Sequence, residues 1–101
     1  MKKRTFMHTA AALALASALP VAHAQSTPIK FQLDWRFEGP AALFLQPVAK
    51  GYFKAAGLDV TVDAGNGSGG AVQRVASGTY DMGFADLAAV MEFHANNPDA
   101  Q

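Results

Sequence analysis

Apolar and polar residues alternate singly from Ile29 to Trp35, placing Ile29, Phe31, Leu33 and Trp35 on one side of an extended segment and predicting a first strand. Arg36-Phe37-Glu38-Gly39 interrupts the pattern as a loop. Pro40 suits the first position of a helix, where its missing N–H costs nothing, and the helix carries Ala41, Leu43, Phe44, Leu45, Val48 and Ala49. Pro47 falls inside it and is expected to kink or split it. Gly51 ends that helix, and Tyr52 to Ala56 give one more turn, stopped by Gly57. Alternation returns in Leu58-Asp59-Val60-Thr61-Val62, a second strand. The glycine-rich run Asp63 to Gly70 then leads into a helix from about Gly69 to Ser77, with Val72, Val75 and Ala76 on one face. Beyond Gly78, the short apolar run Met82-Gly83-Phe84-Ala85 reads as a third strand. Asp86 stands where an N-cap belongs, and Leu87, Val90, Met91 and His94 share a face of a last helix that ends before Pro98.

Strand, helix, strand, helix, strand, helix with short connections is the signature of parallel βαβ units, so the fold class is α/β. In open sheets of this kind ligands bind outside the carboxyl ends of the strands. Those ends are Asp34-Trp35, Asp63 to Gly69, and Ala85-Asp86. The glycine turn, joining a strand to a helix, aims free backbone N–H groups and the positive end of a helix dipole at one point.

Composition adds an address. The 101 residues contain no cysteine and balance eight basic against eight acidic side chains. Lys2, Lys3 and Arg4, the apolar run Ala10 to Leu19, and Ala22-His23-Ala24 form the three regions of a signal peptide, with cleavage between Ala24 and Gln25. The run is broken by Pro20, short of the roughly twenty residues a membrane span needs. Lys3-Arg4 also leaves twin-arginine export open beside general secretion. The chain thus divides into a leader, 1–24, and a part, 25–101, with a small net negative charge, which excludes nucleic-acid binding by charge. Without disulfide or metal that part holds only a thin core, and the polar Asn96 to Gln101 follows a helix directly. We read 25–101 as the opening part of a longer protein.

Gly65-x-Gly67-x-x-Gly70 fits the dinucleotide-binding pattern, with Asp86 about twenty residues on at the next strand end. An oxidoreductase fragment is therefore an alternative, against which stand the export signal and the motif's place after the second strand. A structural turn, or a site for a small polar or anionic group, are the others. Trp35 offers either core packing or a flat ligand platform, and Arg36 pairs with Glu38 or meets a ligand anion. His94 has no metal-ligand spacing to another histidine or cysteine. Ser68 and Ser77 lack a histidine partner, so no enzyme, metal or cofactor is expected.

Taken in order, Leu33-Asp34-Trp35, Gly51-Tyr52-Phe53 with Gly57-Leu58-Asp59-Val60, Gly65-x-Gly67-Ser68, and Val75 to Gly83 resemble the substrate-binding proteins of ABC importers of the nitrate, sulfonate and taurine class, which includes binders of thiamine-pyrimidine precursors. The resemblance runs from Phe31 to about Pro98. It implies a two-lobed, type II periplasmic binding fold, of which this chain is part of lobe one. It also implies a monomer that captures a small molecule for an inner-membrane permease. Asp34, Trp35, Gly67, Ser68, Gly69 and Asp86 would line the cleft, Trp35 as platform, the turn amides and the Ser68 hydroxyl as donors, and Asp86 as cap and acceptor. The chain departs from the pyrimidine binders at Arg36 to Ala41, where they carry an asparagine- and histidine-containing stretch. It also lacks the cysteine-rich motif of the related pyrimidine synthases. A product with no function of its own is the remaining alternative.

Overall fold

The computed structural model describes residues 24–100. The expected signal peptide falls on residues 1–24, of which all but Ala24 lie outside the described residues. Three strands form one parallel sheet: β1 (Thr27–Gln32), β2 (Leu58–Asp63) and β3 (Met82–Gly83), in the order β2-β1-β3. The helices are α1 (Ala42–Ala49), entered through a 3-10 turn at Gly39–Ala41, α2 (Tyr52–Ala55), α3 (Ser68–Ala76) and α4 (Leu87–Asn96). The α/β class with parallel βαβ units is therefore the one found, and it has the pattern of part of a type II binding lobe.

β1 is central. It pairs with β2 over its whole length, Thr27 opposite Leu58 through Gln32 opposite Asp63, and with β3 at Phe31–Met82 and Gln32–Gly83. Successive side chains of a strand point to opposite faces, and both faces of β1 are covered. On one, Phe44 of α1 sits between Phe31 and Phe84, with ring centroids 5.4 and 5.3 Å apart. On the other, Val75 of α3 lies over Gly83, where a Cβ would come within 2.9 Å of its methyl. The lining of this second side is small and polar as well as apolar: Ala71 is buried and Gln32 is completely so.

Five expectations need correction. β1 starts earlier than the alternation suggests and stops at Gln32, because the chain beyond is engaged by the glycine turn rather than by a ladder. Gln32, on the supposed polar side, is the most buried residue described. Pro47 does not split its helix: α1 runs unbroken to Ala49, and the carbonyl denied an N–H partner belongs to Leu43, whose side is open to solvent. β3 is only two residues long, although the Phe84 N–H still donates to the Gln32 carbonyl at 2.9 Å. In α4, Val90 and His94 of the expected face turn toward α3, joined by Phe93, while Leu87 and Met91 face solvent. An apolar groove of about 290 Å³ runs between these two helices and β3.

Candidate functional site

The three strand ends meet at one edge, held first by backbone. After β1 and β2 finish, the Leu33 N–H still donates to the Asp63 carbonyl (2.9 Å). The strands' direct continuation then gives way to a lock between the Asp34-Trp35 turn and the glycine turn. The Gly65 N–H donates to the Trp35 carbonyl at 2.9 Å, and the Gly67 N–H to the Asp34 carbonyl at 2.6 Å. The approach is so close that a Cβ on Gly65 would overlap the Leu33 carbonyl oxygen. Gly67 then takes φ 115° and ψ 148° to swing the chain into α3, a conformation open essentially to glycine alone.

Side chains complete the junction. Ser68, the first residue of α3, donates its hydroxyl proton to Asp34 Oδ2 (3.2 Å) and accepts the Asp86 N–H (3.0 Å). One oxygen therefore joins the ends of β1 and β2 to the segment after β3. Asp86 caps α4 as expected, its Oδ1 accepting from the Ala88 N–H at 2.8 Å. Asp34, Gly67, Ser68 and Asp86 are thus brought together, with Gly69 one residue into α3. The hydroxyl proton of Ser68 is committed to Asp34, so the donors left in this turn are amides. Those of Ser68, Gly69 and Gly70 precede the first bond of the helix, Ala71 N–H to the Gly67 carbonyl.

Trp35 stands half-exposed beside this junction, 47% accessible. The Arg36 guanidinium lies over its ring, 5.3 Å from the centroid, so the partner found for Arg36 is an aromatic face. A small pocket of about 90 Å³ opens next to it, bounded by Asp34, Trp35, Pro40, Phe44 and Phe84.

Three residues that tie this edge together escape the sequence pattern: Gln32, Arg74 and Tyr80. Gln32 Nε2 donates to the carbonyls of Leu33 (2.9 Å), Asp63 (3.2 Å) and Ala64 (2.8 Å), and its Oε1 accepts from Arg74 Nη1 at 3.0 Å. The Tyr80 hydroxyl donates to Asp63 Oδ2 at 2.9 Å. That hydrogen bond, then burial and the Asp63 charge, hold the phenol above its usual 10.0, against the opposing charge of Arg74. Because the folded-state value is the higher, the stabilisation is complete below the ordinary tyrosine value and is lost as pH rises through the raised one. Lys30 Nζ, 5.1 Å from the centre of the same ring, covers it from the β1 side.

The dinucleotide pattern loses its support here. Its third glycine serves close packing of helix on strand, yet nothing lies within 4 Å of a Cβ placed on Gly70. The turn also follows β2, an outer strand of the described sheet. Among the described residues no group of three or more His, Asp or Glu is placed to hold a metal ion, and no helix is long and apolar enough to cross a membrane.

Fold and edge together define an α/β protein with parallel strands whose carboxyl ends gather around a glycine-rich turn. The chain belongs to the NMT1/THI5-like family, whose family model matches residues 42–98. The match takes in the glycine turn and Asp86, and leaves Asp34 and Trp35 just ahead of it. Membership carries a solute-binding role of the kind that serves ABC importers in general. No curated relative and no solved structure matches the chain.

Proposed function

We propose that this chain is an exported solute-binding component of an ABC importer, with residues 1–24 as signal peptide, cleaved after Ala24, and residues 25–101 as part of lobe one. It is periplasmic and monomeric, does no chemistry, and captures a small polar or anionic organic solute of the nitrate, sulfonate or taurine-like class for an inner-membrane permease. The observation that carries this reading is the Ser68 hydroxyl bridge, which gathers three separate strand ends at the edge where α/β sheets take ligands. Trp35 serves as the platform and the first-turn amides of α3 as donors to the solute's oxygens.

Trp35 is the sole tryptophan, so its emission reports the site directly. Titration with nitrate, taurine, aryl sulfonates, phthalate-like acids, pyrimidines and NAD is expected to shift that emission for one anionic organic solute, and the same solute to raise the melting midpoint. In the melt assay Trp35→Ala weakens that effect without unfolding the chain. No response to any solute overturns the reading, and a response to NAD alone moves it to the dinucleotide class.

A further inference from the structure

We propose that Gln32 and Arg74 act as a pair of positioning residues that set the shape of the cleft edge from beneath, an inference that rests on the edge being the solute site. Gln32 is fully buried at the last position of the central strand, in the register pair with Asp63 and beside Gly83. Its amide has two protons, and three carbonyls take them, those of Leu33, Asp63 and Ala64. Leu33 leads into the Asp34-Trp35 turn, and Asp63 and Ala64 lead into the glycine turn. A single NH2 group therefore ties together the two segments at the point where their ladder ends.

The orientation of that amide is fixed from two sides, by the three carbonyls and by Arg74. Flipped, Gln32 would direct its oxygen at three carbonyl oxygens and its NH2 at a guanidinium, leaving like against like on both sides. Arg74 Nη1, reaching from α3 to Oε1 at 3.0 Å, supplies the donor that the oxygen end of the amide needs in the observed orientation. Arg74 is on the same helix as Ser68, so α3 grips the strand ends twice, by Ser68 at its first turn and by Arg74 near its last. A buried amide is favourable only when its polar atoms are satisfied, and those of Gln32 are: no buried side-chain nitrogen or oxygen among the described residues lacks a partner. The consequence is a shape constraint. The Asp34 and Trp35 carbonyls that accept from Gly67 and Gly65 are held in place by a group that never touches the solute.

Amide exchange on the full 15N-labelled chain, without any solute, tests this. In Arg74→Met the Gly65 and Gly67 amides are expected to exchange about tenfold faster. The Thr27 amide, bonded to the Gly57 carbonyl at the far end of the ladder, should keep its rate. Arg74→Lys, which retains a donor for Oε1, should restore most of the protection, and Gln32→Met should reproduce the local loss if it folds. Unchanged Gly65 and Gly67 rates in Arg74→Met overturn the proposal, as does an equal acceleration at Thr27, which marks general loosening. These readings need no ligand, so a failed solute titration strikes the binding function and leaves the exchange result to decide the positioning role.

Discussion

Among the described glycines, Gly65 has the least room for a side chain. Its open side is occupied by the backbone of Leu33 and Asp34 rather than by a movable side chain, so a methyl group there has to push two strand ends apart. Gly65→Ala is expected to destabilise the chain by about 3 kcal/mol, read as a lower denaturant midpoint, whereas Gly70→Ala, with open space around it, leaves the midpoint unchanged or raises it. Both glycines are visible in the sequence, and so is the turn they belong to, because a strand running into Gly-x-Gly-Ser and a helix is a local pattern. Which glycine is indispensable is not local. It depends on Leu33, more than thirty positions away in the chain and adjacent only in the sheet. Gln32 escaped for the same reason. Alternation assigned it to solvent, but a central strand of a parallel sheet has two covered faces, and the second is the one that Arg74 closes.

At the scale of elements, boundaries set by end chemistry were legible and those set by tertiary contact were not. The position of Asp86 just ahead of an apolar helical run marks it as the cap of the last helix, and its carboxylate does accept the Ala88 N–H. Asp86→Ala should cost about 1 kcal/mol, measured by chemical denaturation with helix content followed by circular dichroism, and Asp86→Asn should recover most of it. A larger loss in the alanine variant would mean that the carboxylate supports more than its own helix. The face of α4 that periodicity picks out holds Leu87, Val90, Met91 and His94, whereas the groove against α3 is lined by Val90, Phe93 and His94 and leaves Leu87 and Met91 in solvent. Helical periodicity shows that a residue set shares a face, but neighbouring faces of a helix this apolar compete, and the position of α3 decides between them. Pro47 is similar: a proline inside a helix is tolerated where its orphaned carbonyl lies on the exposed side, a fact about packing rather than about sequence.

For the molecule as a whole, the succession of elements was enough to infer parallel pairing and the gathering of three strand ends. Strand order was not inferred, since the same succession threads several sheets. The described part buries few large side chains: Leu33, Ala41 and Ala71 are its buried apolar residues, while Leu43, Met82, Phe84, Leu87 and Met91 remain more than half accessible. Apolar surface of that extent binds hydrophobic dyes. The folded chain is therefore expected to enhance anilinonaphthalene sulfonate emission well below its melting temperature, and an emission no higher than that of the dye alone would show these faces to be covered in solution.

The central position of β1 also governs the order of events during folding. The first strand of the sheet to leave the ribosome has no neighbour in its own vicinity: Thr27 must wait for Leu58, and Phe31 for Met82. No hairpin is available to nucleate the sheet, and closing these long loops precedes any reward from them. Assembly is accordingly slow and late. Until Asp63 has emerged, the strand at the heart of the structure is an unpaired ribbon, and the edge where the three strand ends gather acquires its form only when Gly83 and Asp86 follow.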